Sequence, residues 1–311
     1  FSDAGSFGFS PAFGDLDNDG DADLVVGEKD GFLFFVENTA GAGAPMSFGA
    51  PQFGWMGIDA GQFATPQIAD LNRDGLMDLV IGRHGRQVQY YQNQGTPGAP
   101  FFDPDKNNPP NIAELGGMMA ESIIPQVFTS TAFGAPTVLD FGDSFKILLG
   151  SDNGKIKLYD HIENNLDGTF DLLTETFGNT KEGFRIRQAA ADLNDDGFLD
   201  LVVGNFRGGL SFFSTNLSTD GMISATQQID NQLFVKIFPN PADQFIRLEK
   251  TGADAAPMRV RVFNSMGVSL AERVFYSDEM TFETSRWPAG FYYIQMEQNG
   301  FIFTQKIALH H

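Results

Sequence analysis

Short apolar runs closed by glycine punctuate the first two thirds of the chain. Leu24-Val25-Val26-Gly27, Leu79-Val80-Ile81-Gly82 and Leu201-Val202-Val203-Gly204 are the clearest. Continuous, β-branched runs this short predict strands buried on both faces rather than helices. A short apolar segment leads into each unit, as in Pro11-Ala12-Phe13 and Pro66-Gln67-Ile68-Ala69. A second run follows each glycine: Phe32-Leu33-Phe34-Phe35-Val36, Val88-Gln89-Tyr90-Tyr91-Gln92-Asn93 and Leu210-Ser211-Phe212-Phe213-Ser214. Recurrence in units of about 50–70 residues is the mark of a repeat architecture, and strands of this length joined by turns predict propeller blades.

A polar nonapeptide precedes each run. Its copies are Asp15-Leu16-Asp17-Asn18-Asp19-Gly20-Asp21-Ala22-Asp23, Asp70-Leu71-Asn72-Arg73-Asp74-Gly75-Leu76-Met77-Asp78 and Asp192-Leu193-Asn194-Asp195-Asp196-Gly197-Phe198-Leu199-Asp200. Oxygen-bearing side chains fall at positions 1, 3, 5 and 9, with glycine at 6. A calcium ion takes six to eight oxygen ligands, and a short loop wraps it when alternate residues point inward. The side chains of Asp15, Asp17, Asp19 and Asp23, of Asp70, Asn72, Asp74 and Asp78, and of Asp192, Asn194, Asp196 and Asp200 are the candidate ligands. Asp21, Leu76 and Phe198 at position 7 would offer a backbone carbonyl. An EF-hand would carry a bidentate glutamate at position 12 on a following helix. Position 12 here is Val26, Ile81 or Val203, inside the apolar run. The competing reading is Asx-rich turn chemistry with no metal.

A decayed unit lies between the second and third copies. Val138-Leu139-Asp140-Phe141-Gly142-Asp143-Ser144 stands where a loop should be, and Ile147-Leu148-Leu149-Gly150 replaces the apolar run. Counting from Asp140 puts Phe145 at position 6 and Leu148 at position 9, so the blade is expected without its metal. Residues 95–112, rich in Pro, Asn and Gly, predict a surface loop.

The pattern changes near residue 234. Val235-Lys236-Ile237-Phe238 and Met258-Arg259-Val260-Arg261-Val262 alternate, as in strands with one wet face. Asn299-Gly300 between two apolar runs is a hairpin signal. About seven short strands predict an Ig-like antiparallel β-sandwich. The fold class is therefore all-β, with repeats over 1–214, a polar linker over 215–233 and a second domain over 234–311.

Charge sharpens that division. The chain of 311 residues carries a net charge of −20. Residues 235–311 hold eight Lys/Arg and eight Asp/Glu, so the excess lies in the repeats. Such acidity argues against nucleic acid and suits cations. Cysteine is absent, which excludes disulfides and thiolate chemistry. The chain begins at Phe1. Its opening Asp3-Ala4-Gly5-Ser6-Phe7 echoes Asp59-Ala60-Gly61-Gln62-Phe63, so further repeats upstream are expected.

The repeats resemble FG-GAP/VCBS repeats, whose blades carry calcium loops, over residues 10–215. The C-terminal stretch resembles the type A sorting domain of type IX secretion cargo. The resemblance rests on Phe238-Pro239-Asn240-Pro241-Ala242, on Val260-Arg261-Val262-Phe263-Asn264 with Gly267, and on Pro288-Ala289-Gly290-Phe291-Tyr292-Tyr293-Ile294 with Gln305-Lys306-Ile307. It implies export across the outer membrane through a dedicated translocon, hand-over by an outer-membrane shuttle barrel, and residence at the bacterial surface or release.

No nucleophile–base set is visible. His84 and His161 fall in polar turns, and no Gly-rich phosphate loop opens a helix. The reading is a non-enzymatic, calcium-binding adhesion or recognition module with a glycan or surface-protein ligand. The alternative is the accessory part of a larger secreted polysaccharide-acting enzyme. Most of the 32 phenylalanines are expected between blades, Trp55 and Met56 at a blade edge, and Trp287 in the second core.

Overall fold

The computed structural model describes residues 5–122, 132–206, 208–223, 234–239, 242–251, 257–276, 279–298 and 301–310. The described residues are nearly all strand and turn, and the chain divides into two compact units. The first holds residues 1–190 with 203–208 and 219–221. The second holds 191–202, 209–218 and 222–311.

Four antiparallel sheets correspond to the four repeats. The first is β1 (Ser10–Gly14), β2 (Asp23–Gly27), β3 (Leu33–Val36) and β4 (Gln52–Phe53), in that order. The second is β5 (Thr65–Ala69), β6 (Asp78–Gly82) and β7 (Gln89–Tyr91). The third is β8 (Ala135–Asp140), β9 (Phe145–Gly150), β10 (Ile156–Asp160) and β11 (Asp171–Thr174). The fourth is β12 (Arg187–Ala191), β13 (Phe198–Gly204) and β14 (Leu210–Ser218).

Consecutive repeats in the first unit share cores. Val25, Leu33, Phe35 and Ile58 of repeat 1 pack with Leu79, Ile81 and Tyr91 of repeat 2. Val80, Tyr90 and Met118 of repeat 2 pack with Ile147, Leu149 and Tyr159 of repeat 3. Burial on both faces explains why the Leu-Val-x-Gly runs do not alternate with polar residues. The terminal glycine makes room for the neighbour. A Cβ on Gly82 would collide with the Gly134 carbonyl oxygen and the Pro136 ring.

A single 3-10 turn recurs in three repeats, at Trp55–Gly57, Leu115–Gly117 and Phe177–Asn179. Its middle residue is left-handed each time: Met56 at φ 53°, Gly116 at 60° and Gly178 at 62°. Its first residue is a core plug. Trp55 is 6% exposed, stacks on Phe35 at 4.7 Å and meets Phe102 edge-on at 5.4 Å. The blade-edge expectation for Trp55 is thus corrected, because the turn aims the indole inward. Phe102 itself is fully buried, so the 95–112 insertion anchors a core rather than only covering a surface.

Two further expectations change. β14 runs to Ser218, four residues into the stretch read as linker, because Leu217 is buried and Thr215 Oγ1 donates to the Leu199 carbonyl at 2.6 Å. Residues 224–233 lie outside the described residues. His84, read as solvated, is half-buried with its ring stacked on Phe133 at 4.4 Å.

The second unit also contains β15 (Phe234–Phe238), β16 (Phe245–Thr251), β17 (Met258–Asn264), β18 (Ser269–Phe275), β19 (Glu279–Glu283), β20 (Gly290–Gln298) and β21 (Phe301–Leu309). These form two antiparallel sheets, β15-β16-β19 and β18-β17-β20-β21. Ile246, Leu248 and Phe282 of the first sheet share one core with Val260, Val262 and Ile294 of the second. β17 alternates buried and exposed positions as its sequence does. Trp287 packs against this core and stacks on Tyr292 at 5.4 Å. β20 and β21 pair up to Gln298 opposite Phe301, and residues 299–300 lie outside the described residues.

Candidate metal centres

Each acidic nonapeptide links the first two strands of its sheet. The three loops share one backbone conformation. Position 4 is left-handed at Asn18 (φ 63°), Arg73 (60°) and Asp195 (60°), and position 6 is a glycine at φ 91°, 89° and 84°. The fold of the loop is written in its side-chain oxygens. At position 1, Asp15 accepts the N–H groups of Asp19 (3.1 Å) and Gly20 (3.0 Å), and Asp70 and Asp192 repeat the pair. At position 5, Asp19, Asp74 and Asp196 each accept the N–H of position 7. Asn72 and Asn194 at position 3 accept the N–H of position 5.

The position-9 carboxylates are buried: Asp23 is 1%, Asp78 0% and Asp200 8% exposed. Each ties the loop shut by accepting the N–H of position 2, from Leu16, Leu71 or Leu193, at 3.2–3.3 Å. Asp23 and Asp78 also accept the N–H of Asn38 and Asn93 at 2.9 Å. Those asparagines return a side-chain N–H to the carbonyl of position 8, and in the third loop the Thr215 hydroxyl donates to the same place. Asn38, Asn93 and Thr215 lie 15 residues beyond each position 9, too far for a local motif to show their role. Burial raises the Asp23 carboxyl to about 6 and that of Asp78 to about 7.

The first loop carries the densest charge. Carboxylate oxygens of Asp15, Asp17 and Asp19 lie within 4.8 Å of one another. Asp17 is pushed above its ordinary range by burial and then by Asp19. Two oxygens there, Oδ1 of Asp17 and Oδ1 of Asp21, are buried without a hydrogen-bond partner, although Asp21 Oδ2 accepts the Gly41 N–H at 2.6 Å. Buried oxygens left bare beside clustered carboxylates are a donor set that fits a hard dication. The second and third loops keep the same backbone with one charge fewer at position 3.

The third repeat shows how such a loop is lost. Residue Asp140 pairs with Phe145 across a turn of four residues, 141–144. The register places Lys146 opposite Leu139, as Asp23 lies opposite Gly14 and Asp78 opposite Ala69. Lys146, not Leu148, therefore occupies the position-9 place, because the loop was shortened. Its ammonium is buried and bonds Asp160 at 2.7 Å. Asp140 is taken by Arg73 of the neighbouring loop through two bonds of 2.8 and 2.9 Å, which hold its carboxyl below the ordinary range. Removing only the acid from the Lys146 pair strands a buried ammonium. Asp160→Asn is therefore expected to cost about 1–3 kcal/mol in urea unfolding, and more than Lys146→Met. The reverse order would contradict this assignment.

Residues 236–310 match the secretion system C-terminal sorting domain family, and residues 7–45 match the FG-GAP repeat family. No curated protein matches the chain. Among solved structures, it is similar to PorZ, an essential bacterial surface component of the type-IX secretion system of Porphyromonas gingivalis, at 11% identity and a TM-score of 0.29. That match covers 97% of this chain and 44% of the PorZ chain. It is also similar to an alpha-L-arabinofuranosidase from Podospora anserina, at 15% identity and a TM-score of 0.39, over 80% of this chain and 87% of that one. The chain thus spans less than half of the PorZ chain, and likenesses this distant carry no further argument. Among the described residues no helix is long and apolar enough to cross a membrane. The chain carries an FG-GAP repeat and, over residues 236–310, the sorting domain that directs type IX cargo across the outer membrane to the cell surface or the medium.

Proposed function

We propose that the repeats are propeller blades holding calcium in the loops at 15–23, 70–78 and 192–200, and that the chain is a non-catalytic recognition module exported by the type IX pathway. The observation that supports calcium most directly is the bare, buried Oδ1 of Asp17, at position 3, inside the Asp15–Asp17–Asp19 cluster. The ion would be held by the side chains at positions 1, 3, 5 and 9 and by the backbone carbonyl of position 7. It would neutralise carboxylates that otherwise repel. The sorting domain would engage the translocon and its shuttle barrel, leaving the repeats to meet a glycan or surface-protein ligand.

Isothermal titration of the full chain is expected to show three calcium ions bound. Asp15→Asn, Asp70→Asn and Asp192→Asn, which keep an oxygen but lose the charge, are each expected to remove one. Unchanged stoichiometry in all three variants would refute the loop assignment.

Without a cation, Asp23 and Asp78 hold protons up to about pH 6 and 7. Calcium must displace those protons, so its affinity is expected to fall severalfold between pH 7.5 and 5.5. A pH-independent affinity would remove both carboxylates from the ligand set. Calcium-dependent binding to a glycan array would support recognition as the role. Silence on glycan and surface-protein arrays alike would leave the repeats as passive scaffold.

A further inference from the structure

Repeat 2 carries a short hairpin, residues 94–101, where its insertion begins. The residue before it, Asn93, is buried and held by loop 70–78. Its backbone N–H donates to Oδ1 of Asp78 at 2.9 Å, and its side chain donates to the Met77 carbonyl at 3.2 Å. The Asn93 side-chain oxygen in turn accepts the N–H groups of Gly95 (3.0 Å) and Phe101 (3.1 Å), one from each arm of the hairpin. The Gln94 N–H donates to the Phe101 carbonyl at 2.8 Å, and Thr96 and Ala99 exchange two bonds at 3.1 and 2.9 Å. Phe102, fully buried against Trp55, gives its N–H to Met56 Sδ at 3.2 Å and fixes the outgoing end.

The tip of the hairpin is Pro97-Gly98, with Gly98 at φ 80°, a conformation that glycine adopts without strain. Because Thr96 and Ala99 satisfy each other, the Gly98 N–H is not needed in its own turn. It donates instead to the carbonyl oxygen of Asp17, position 3 of loop 15–23, at 2.6 Å. Asp17 is also the residue whose Oδ1 is buried and bare. Repeat 1 adds a brace of its own, the Gly41 N–H on Oδ2 of Asp21. Loop 15–23 is thus held in part by its own repeat and in part by the next one.

Position 9 of the second loop is therefore joined to position 3 of the first through one buried asparagine and one clamped hairpin. We propose, on the calcium reading above, that this hairpin couples the two loops, so that filling either one raises the affinity of the other. Filling loop 70–78 would fix Asp78, and with it Asn93, the hairpin and the Asp17 peptide. A loop already ordered in this way loses less conformational freedom when its own ion arrives. Linkage requires the effect to be the same in the reverse direction. Direct repulsion between two bound dications would give the opposite sign.

Calcium titration of the full chain carrying Asp192→Asn, which leaves only the first two loops, measures the coupling. The affinity for the pair of ions is compared with the product of the single-loop affinities. Those are read in Asp70→Asn/Asp192→Asn and in Asp15→Asn/Asp192→Asn. The pair is expected to bind at least about fivefold more tightly than that product. The factor is expected to fall to one when residues 95–100 are replaced by Asn-Gly. That change keeps Gln94 and Phe101 paired across a two-residue turn and removes the Gly98 N–H. A factor of one or less in the natural hairpin, with each single-loop variant binding one ion, would overturn the proposal and leave the loop assignment standing. A factor that survives the replacement would also overturn it, because the coupling would then run through the shared core. A single-loop variant that binds no ion would refute the loop assignment, and the coupling with it. Amide exchange covers failure of the shortened chain to fold. In Asp15→Asn/Asp192→Asn with the natural hairpin, calcium is expected to slow exchange at Gly98 and Phe101 at least about threefold. Unchanged exchange there would overturn the proposal.

Discussion

Replacing Trp55 by alanine is expected to lower the unfolding free energy of the first unit by about 3–5 kcal/mol. The indole is nearly fully buried and joins two repeats, stacking on Phe35 while Phe102 closes over it from the insertion of repeat 2. Its 3-10 turn is held by a left-handed Met56, so the backbone cannot easily move to fill the space. The loss therefore combines transfer free energy with a cavity that collapses poorly. Urea unfolding followed by far-ultraviolet circular dichroism measures it. Phe102→Ala is expected to act in the same core, and the double variant should lose less than the two singles summed, because the side chains touch. A loss below about 1 kcal/mol would return Trp55 to the blade edge.

Removing calcium is expected to lower the melting temperature of the first unit by about 6–12 °C. At about 1 mM calcium, a site with a dissociation constant of about 10⁻⁴ M contributes about 1.4 kcal/mol. Two of the three loops, 15–23 and 70–78, lie wholly in the first unit and together contribute about 3 kcal/mol. Each kilocalorie moves the midpoint of a unit of about 200 residues by roughly 2–4 °C. The third loop, 192–200, falls in the second unit, which is about half the size and shifts about twice as far per kilocalorie, so that transition should shift by a similar amount. Calorimetry with calcium and with a chelator reads both. Identical scans would mean that the carboxylates are satisfied by their backbone donors alone.

Those donors show why the loops were legible from the chain itself. Asp at positions 1 and 5 and glycine at 6 act within nine residues, through bonds to N–H groups two to five residues away. The strands were legible for a similar reason. Runs such as Leu79-Val80-Ile81 must be apolar throughout when a neighbour covers each face.

What escaped depends on partners distant in sequence. The 3-10 turn has Met at its left-handed residue in one copy and Gly in two, so composition does not announce it. The turn of the third repeat misled because counting forward from Asp140 assumed nine residues. The strand register, set by Gly150 opposite Ala135, shows four. Arg73 paired with Asp140 and Lys146 with Asp160 put side-chain cations at this corner, an arrangement visible only when the sheets are assembled.

The sequence alone determined that this chain is β throughout, that it repeats, where its oxygen-rich loops lie and that it ends in an export signal. These follow from periodicity and from short-range donor–acceptor spacing. Tertiary structure decided which residue took the position-9 place in the third repeat, which aromatic rings became core and which distant side chains tie each loop shut. Those outcomes depend on what packs against each residue, and packing partners here come from tens of residues away.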